Sequence, residues 1–372
     1  MINIAIISPA ENAVSETFIK AHRELINGNI HYLYGGLLPT HFSKNGHSLK
    51  HSVPLSKWQK LLPFFLHERM MKRKQNREKI LETYLSENNI QLVLAEYGLT
   101  GCAVHAVCKK LSIPVIVHFH GFDAFKTSII EVYKEKYKQL FQYASFIIAV
   151  SVKMNDKLLQ LGAPPDKLIY SVYGSHPDFF EINPDLKNGY FLAVGRFVEK
   201  KAPYITLLAF KKLQDVHADA KLVMAGDGPL LPVCKQLAKS LYLRNVEFKG
   251  AVPHNEVMDL FSKAMCFVQH SITTEDGDAE GTPVAVLEAG AARLPVIATI
   301  HSGIPDVIVH DETGFLIAEG DIDAMANYMI LIYENESKRT AMGLIARKHI
   351  AVNFTQQKHI STLNGLIERS VK

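Results

Sequence analysis

Short apolar, β-branched runs alternate with longer amphipathic runs along most of this 372-residue chain. This alternation is typical of parallel sheets whose strands are joined by helices. In the first half, it predicts strands at 2–7, 91–95, 114–119, 146–150 and 169–172. In the second half, it predicts strands at 191–194, 221–225, 246–249, 266–270, 296–298 and 314–317. The pattern therefore indicates an α/β fold.

A polar stretch bearing proline and glycine, "EINPDLKNGY" at 181–190, separates the two sets of strands. Two doubly wound domains, 1–183 and 189–350, are the simplest interpretation. Ligands in such sheets bind beyond the carboxyl ends of the strands, so the loops at those ends are the candidate sites. Neither half contains a GxGxxG fingerprint, which argues against a dinucleotide-dependent dehydrogenase.

The composition favours a soluble globular protein, since 48% of the residues are hydrophobic and the net charge is only +4. The longest apolar run, 144–152, is far too short to span a bilayer. The N-terminus has no basic region followed by a small-residue cleavage site, so we expect a first strand rather than a signal peptide. The four cysteines lack zinc or redox spacing. A reduced, cytoplasmic chain is the expectation.

Positive charge concentrates at 57–79, which holds eight basic and two acidic residues. Aromatic side chains lie beside this charge, a combination that suits an anionic membrane surface. The alternative is a basic, solvated helix that follows a buried turn. Nucleic acid is not expected as a partner, because no nucleic-acid motif accompanies the patch. The candidate membrane residues are Trp58, Phe64, Phe65, Lys72, Arg73 and Lys74.

Three loops in the second half follow predicted strands and contain glycines or cations. After the strand at 191–194, Gly195 permits a tight turn, and Arg196 and Lys201 supply charges that suit a diphosphate. Solvated lysines at a helix start are the alternative. Gly226 lies in a turn that a flat ring can approach closely, although a purely structural turn fits equally well. The backbone near Val252 is placed to contact the edge of a base.

The acid-rich stretch 275–290, "EDGDAEGTPVAVLEAG", raises three alternatives: a metal site, a helix cap or a sugar site. Thr282 suits an N-cap and Pro283 a first helical position. The amides from Gly281 to Val284 would then form an anion site. Glu288 would reach towards a ligand at these amides, and ribose hydroxyls would satisfy its buried carboxylate. The alternative is that backbone amides or an arginine satisfy it.

Two further acidic residues in this stretch, Asp276 and Asp278, form a DxD pattern. That pattern binds metal in a different, single-sheet transferase architecture. Here it precedes a helix in the second domain. We therefore expect these residues to be solvated loop acids and predict no metal.

In the first half, "HFHGFD" follows the strand at 114–119 and contains His118, His120 and Asp123. These residue types at a strand end indicate a functional site, although a lone histidine is more often structural. Zinc is compatible with the residue types, but the sequence offers no third ligand at a recognisable spacing. The strand end "EYGLTG" at 96–101 is expected to line the same cleft.

Together these motifs resemble the retaining glycosyltransferase family 4, whose GT-B fold places two Rossmann-like domains across a central cleft. The resemblance covers nearly the whole chain and rests on an ordered set. The specific element is Glu280 followed eight positions later by Glu288, in an EGTP context. The segments "SETFI" and "HFHGFD" resemble a bacterial branch that builds exopolysaccharide, capsule or lipopolysaccharide. The other motifs of the set are "GRFVEKK", "AGDGPL", "GAVPHNEV" and "GIPDVIVHDETGFLI".

The resemblance implies transfer of a sugar, with retention, from a UDP- or GDP-sugar to a glycan or lipid-linked acceptor. It implies no cofactor and no essential metal. Arg196 and Lys201 would clamp the diphosphate, Glu288 would hold the ribose, and Glu280 and His120 would face the donor sugar. The donor-binding set would be Gly195, Gly226, Val252, Gly281, Thr282, Pro283, Val284 and Glu288.

The acceptor would bind the N-terminal domain, and a final helix at 351–372 would cross back onto it. The acceptor-side candidates are Ser15, Glu16, Thr17 and Asp123. The loop at 8–18 departs from the family pattern, because it lacks the paired glycines that many members carry. Lipid-linked acceptors are presented at the cytoplasmic leaflet, so the resemblance also fits attachment of the basic, aromatic patch at 57–79 to that face of the membrane.

Three other interpretations remain at the level of sequence. They are a nucleotide-sugar epimerase of the same fold, a phosphorylase, and a non-catalytic nucleotide-sugar-binding subunit. The phosphorylase would need a lysine environment for pyridoxal phosphate, which the sequence does not reveal. The subunit would be expected to lose residues such as Lys201 and Glu280, which are present here.

Overall fold

The structure is a computed structural model that describes residues 1–11, 17–44, 47–49 and 66–372. For residues 47–49 and 66–73 it describes the backbone alone. Five predicted site residues lie outside the described residues: Ser15, Glu16, Trp58, Phe64 and Phe65. The side chains of Lys72 and Arg73 are likewise not among the described parts of the chain.

The first sheet has the strand order β4-β3-β2-β1-β5-β6-β7-β8. It is parallel apart from β3, which pairs antiparallel with both β2 and β4 at one edge. Successive residues of a strand face opposite sides, so Ile4 and Ile6 of β1 join one core while Ala5 and Ile7 join the other. Its strands are β1 Asn3–Ile7, β2 Asn29–Tyr34, β3 His41–Lys44, β4 His47–Leu49, β5 Leu92–Glu96, β6 Val115–His118, β7 Phe146–Ala149 and β8 Leu168–Tyr170.

The second sheet is wholly parallel and has the order β11-β10-β9-β12-β13-β14, the strand order of a Rossmann sheet. Its two faces are also both covered, since Phe191 and Leu192 of β9 belong to different cores. Its strands are β9 Tyr190–Val194, β10 Leu222–Ala225, β11 Val246–Gly250, β12 Ala264–Gln269, β13 Val296–Thr299 and β14 Gly314–Ile317.

Helices flank both sheets, and within the described ranges none is long and apolar enough to cross a bilayer. Those of the first half are α1 Thr17–Leu25, α2 Leu66–Glu87, α3 Gly98–Lys110, α4 Phe122–Phe125, α5 Thr127–Tyr143 and α6 Val152–Gln160. Those of the second half are α7 Pro203–Val216, α8 Leu231–Ser240, α9 His254–Ser262, α10 Val284–Ala291, α11 Ile304–Val307, α12 Ile322–Glu334 and α13 Glu336–Asn353.

The last helix, α14 Gln356–Ser370, packs on the first sheet rather than the second. Its apolar residues recur at helical spacing and pack into the core that contains Ile4 and Ile6. Thr355 caps the helix by accepting a hydrogen bond from the amide of Lys358. This packing brings residues near the C-terminus against the first sheet. The apolar residues are Ile360, Leu363, Leu366 and Ile367.

The α/β fold class predicted from the sequence is confirmed, and every predicted strand is present with ends shifted by a few residues. The prediction missed β2, β3 and β4. In β2, "NIHYLY", the polar His31 interrupts the apolar signal. That histidine is fully buried because its Nδ1 hydrogen-bonds the Tyr84 hydroxyl at 2.9 Å.

Candidate active site

The loop after β9 brings Gly195, Arg196 and Lys201 to the wall of one pocket. The Lys201 side chain lies alongside Gly195, where a β-carbon would stand 3.5 Å from Lys201 Cε. Gly226 ends the neighbouring strand with φ +137°, and a β-carbon there would lie 1.9 Å from the Gly195 carbonyl oxygen. Only glycine fits this approach, so the turn predicted at Gly226 shapes the pocket. Arg196 is exposed at its mouth.

Lys201 forms an ion pair with Glu280, with 3.4 Å between Nζ and Oε2. Their side chains are only 14% and 12% exposed. Burial lowers the pKa of Lys201 despite the opposing effect of Glu280. Burial alone would raise the pKa of Glu280, but Lys201 and the other nearby cations outweigh it and keep that pKa below its ordinary value. The pair is therefore set in a largely desolvated site, where each partner favours the charged form of the other.

Glu280 keeps one unsatisfied acceptor. Its Oε1 is buried and has no hydrogen-bond partner within the described part of the chain. A buried carboxylate oxygen without a donor is costly, and a ligand hydroxyl would satisfy it. The position suits a sugar held beside the pocket.

His301 and Ser302, which follow β13 and were not predicted as site residues, hydrogen-bond the Glu280 backbone. Its amide donates to His301 Nε2 at 3.1 Å, and the Ser302 hydroxyl donates to its carbonyl. His301 Nδ1 in turn lies 2.6 Å from Glu319 Oε1, which fixes the ring. Burial lowers the pKa of His301, and Nε2 acts as the acceptor for the Glu280 amide. The rule that sites follow strand ends would have found His301.

Glu288 is buried within α10 and only 7% exposed. No residue of the described ranges donates a hydrogen bond or forms an ion pair with its carboxylate. Burial raises the pKa of Glu288 to about 7. A buried carboxyl without a partner is suited to receive donors from a ligand.

The predicted cap of α10 is wrong. The helix begins at Val284, Pro283 occupies the N-cap position, and no side chain caps it. Thr282 instead donates its hydroxyl to the carbonyl of Val150, just after β7 in the first half of the chain. The hydroxyl thus joins the two halves rather than capping the helix. The amides of Gly281 and Thr282 have no hydrogen-bond acceptor among the residues the structure describes.

The acidic residues Asp276 and Asp278 lie in a loop, as predicted, with Asp276 exposed and Asp278 partly exposed, and each also forms an ion pair. Asp276 Oδ2 lies 2.7 Å from Lys126 Nζ, which holds the pKa of Asp276 at about 2. Asp278 Oδ1 accepts from Lys200 Nζ at 3.0 Å. With each carboxylate paired to a lysine, the DxD pattern does not present a free metal-binding face.

The two halves of the chain meet closely beside Glu280. A β-carbon on Gly281 would lie 2.5 Å from the His120 carbonyl oxygen. On the other side, Gly121 has φ +142°, and a β-carbon there would lie 2.9 Å from the Ala279 carbonyl oxygen. The predicted residues His120, Glu280 and Gly281 therefore lie together where the two halves of the chain are in contact.

The His120 side chain points into the first half of the chain. Nε2 lies 2.8 Å from Glu96 Oε2, and Nδ1 lies 2.6 Å from the Tyr173 hydroxyl. Phe18 stacks on the ring with 4.7 Å between centroids. Both ring nitrogens thus have partners within the protein. Glu96 and Tyr173 were missed individually, although the strand end at 96–101 was expected nearby.

Asp123, predicted on the acceptor side, is fully buried. It accepts hydrogen bonds from the amides of Gly98, His120 and Gly121 at 2.9–3.0 Å. The carboxylate shapes the His120 loop and faces no open space. Burial raises the pKa of Asp123.

The remaining predicted residues lie at the periphery. Val252 is half-buried after β11, whose Gly250 carbonyl accepts from the Gly226 amide at 2.7 Å. Thr17 is exposed at the start of α1. Lys74 is exposed on α2, 3.5 Å from Glu78 Oε1. The structure thus groups Gly195, Arg196, Lys201, Gly226 and Glu280, and it brings neither Thr17 nor Lys74 to them.

Two family models match the chain: "Glycosyltransferase Family 4" over residues 42–170 and "Glycosyl transferases group 1" over residues 175–349. The chain is 30% identical over 283 residues to the putative colanic acid biosynthesis glycosyltransferase WcaL of Escherichia coli K12, covering 74% of this chain and 70% of that protein. It is 29% identical over 286 residues to the amylovoran biosynthesis glycosyltransferase AmsK of Erwinia amylovora, covering 75% and 70%.

A solved structure shares the fold over the full length. Anabaena Alr3699/HepE, in complex with UDP-glucose, superposes with a TM-score of 0.75 at 15% identity and covers 100% of this chain and 99% of its own. The two sheets with their facing strand ends are the GT-B arrangement. Given this fold, the two family models and the identity to WcaL, the chain is a glycosyltransferase and belongs to the family that those two models describe.

Proposed function

We propose that this glycosyltransferase moves a sugar from a nucleotide-diphosphate sugar to a growing glycan, with retention at the anomeric carbon, in exopolysaccharide synthesis. The observation that carries the proposal is the buried Lys201–Glu280 pair beside Arg196, at the pocket after β9. The names of WcaL and AmsK, which concern colanic acid and amylovoran, support the choice of pathway class.

The donor would lie along the carboxyl ends of the second sheet. Arg196 and Lys201 would bind the diphosphate, and the Gly281 and Thr282 amides would add donors. The unpartnered Glu288 carboxylate would accept from the ribose hydroxyls, and Glu280 Oε1 from the sugar. Each assignment pairs an unsatisfied or charged protein group with a complementary part of the donor.

In the reaction, the bond between the anomeric carbon and the diphosphate oxygen breaks, and a bond to the acceptor hydroxyl oxygen forms on the same face. The acceptor proton passes to the departing phosphate oxygen. Negative charge develops on the diphosphate, and fixed cations stabilise it. Arg196 and Lys201 supply this charge without a metal ion.

The acceptor would be a glycan or lipid-linked glycan bound against the first half of the chain, opposite the donor. Attachment to the cytoplasmic membrane surface would use the basic stretch that includes Lys72, Arg73 and Lys74. Sedimentation with anionic vesicles tests this part. Binding that survives K72Q/R73Q/K74Q as fully as in the native chain contradicts it.

The donor is identified by screening UDP- and GDP-sugars for thermal stabilisation of the full chain. The stabilising donor is then assayed for transfer to lipid-linked acceptors. We expect stabilisation by one nucleotide class and label transfer that depends on the acceptor. Epimerisation of the donor without acceptor, or binding with no turnover, would contradict the proposal in favour of an epimerase or a binding subunit.

A further inference from the structure

Three histidines from distant parts of the chain meet beneath the His120 loop. They are His22 on α1, His118 at the end of β6 and His359 on α14, and each is at most 3% exposed. One ring nitrogen of each lies within 4.8 Å of a ring nitrogen of the other two. Such a group buried away from solvent calls for a partner, because unsatisfied buried polar atoms are costly.

The Nε2 atoms of His22 and His359 face each other, and each ring is held in this orientation by a hydrogen bond at its Nδ1. Their Nε2 atoms are 3.0 Å apart. Nδ1 of His22 lies 2.7 Å from Glu96 Oε1, and Nδ1 of His359 lies 2.8 Å from the Ser171 hydroxyl. Imidazoles that bind metal are oriented in this way, with the second nitrogen held by a carboxylate or another polar group.

His118 supplies an independent observation. It is fully buried, and neither of its ring nitrogens has a hydrogen-bond partner among the described residues. Its Nδ1 approaches Glu96 Oε2 only to 3.5 Å. Hydrogen bonds among the described residues therefore satisfy the ring nitrogens of His22 and His359, whereas the ring nitrogens of His118 receive none.

We propose that His22, His118 and His359 form a binding site for a divalent transition metal ion, Zn²⁺ in the first instance. Imidazole nitrogens suit Zn²⁺, and ligands at 2.0–2.1 Å in a tetrahedron lie about 3.3 Å apart, close to the observed His22–His359 spacing. Three imidazoles fill three of its four positions. The metal would satisfy the His118 nitrogen that no protein group reaches.

The role of the site would be structural, because its three histidines are buried and do not line the pocket after β9. The site fastens α1 and α14 to the end of β6. Glu96 contacts both His22 and His120, so the metal would also fix the carboxylate that holds His120 beside Gly281. The site stands independently of the proposed donor chemistry, because it rests on these contacts alone.

The test uses the full chain, stripped with a chelator and then titrated with Zn²⁺ alone. A second histidine group at the surface, His176, Asp178 and His254, provides the matched control. We expect the native chain and His254→Gln to bind one Zn²⁺ per chain and to gain thermal stability, and His118→Gln to lose both. Loss in His254→Gln with retention in His118→Gln would overturn the proposal, as would no stoichiometric binding.

X-ray absorption of the zinc-loaded native chain tests the proposed ligand set even if His118→Gln does not fold. A first shell of nitrogen at about 2.0 Å, with outer-shell scattering from three imidazoles, is expected. Outer-shell scattering from two imidazoles or fewer, as the surface group with His176 and His254 would give, would overturn the site, and the cluster would then be a hydrogen-bonded network only.

Discussion

Lys201 and Glu280, which are separated by about half of the second domain in sequence, form a largely buried ion pair at 3.4 Å. Each comes from a loop that follows a strand, and the pair lies where the His120 loop meets Gly281. The carboxylate holds the ammonium in place beside the pocket. Under the proposed function, a diphosphate entering the pocket would meet a Lys201 ammonium that is already held in place.

Replacing Lys201 with alanine is expected to lower kcat/KM for transfer roughly 30-fold to 1000-fold. The reason is that removal of one preorganised charge from a desolvated site costs about 2–4 kcal/mol of transition-state stabilisation. Steady-state kinetics with the stabilising donor measures it. Lys212→Ala is the control, because that lysine pairs with Asp323 at the surface. Near-normal transfer by Lys201→Ala would contradict its role.

Donor binding is expected to weaken as the pH falls below about 7. The pKa of Glu288 is raised to about 7, and under the proposed function ribose hydroxyls would donate to the ionised carboxylate. Calorimetry of the stabilising nucleotide-diphosphate sugar, which has no phosphate ionisation near neutral pH, at pH 6 and pH 8 in buffers of different ionisation enthalpy should show proton release at the lower pH. In Glu288→Gln, binding at pH 8 should weaken by about 1.5–3 kcal/mol and the proton release should vanish. Unchanged proton release would place the titrating group elsewhere.

The same substitution is expected to stabilise the protein without ligand at pH 8. A carboxyl whose pKa is raised on folding contributes stability below its unfolded value of 4.5, and this contribution is lost as pH rises through about 7. Glu288→Gln removes the cost of burying the charge, up to about 3 kcal/mol. Thermal unfolding should show a gain at pH 8 and little change at pH 4.5. Equal stability at pH 8 would mean that Glu288 has a partner.

Breaking the Lys126–Asp276 pair is expected to leave transfer and its response to divalent cations unchanged. The pair lies at 2.7 Å but is half-exposed, and solvent screens such pairs so that they contribute little to stability. Asp276→Asn and Lys126→Met should have the same small effect on stability, alone or together. A loss of cation-dependent activity in Asp276→Asn, not shared by Lys126→Met, would restore the metal interpretation of the DxD pattern.

Most of the candidate site could be predicted from the rule that ligands bind beyond the carboxyl ends of parallel strands, because strands can be recognised from local pattern. Gly195, Arg196, Lys201 and Gly226 follow strands whose apolar runs are plain in the sequence, and parallel pairing brings those ends together. The same rule, applied to the end of β13, would also have selected His301.

Contacts between the two halves could not be read from local pattern. Thr282 has the composition of an N-cap, yet its hydroxyl bonds Val150, 132 positions away. His22 and His359 lie 337 positions apart and meet only because α14 crosses to the first sheet. No spacing rule reaches such pairs, since they depend on how whole elements pack.

Determination of the product's anomeric configuration tests the central claim most directly. The native chain, its stabilising donor and an accepted glycan are incubated, and the new glycosidic linkage is assigned by NMR. The proposal predicts that the linkage keeps the configuration of the donor and that Lys201→Ala forms the same product more slowly. An inverted linkage would contradict it.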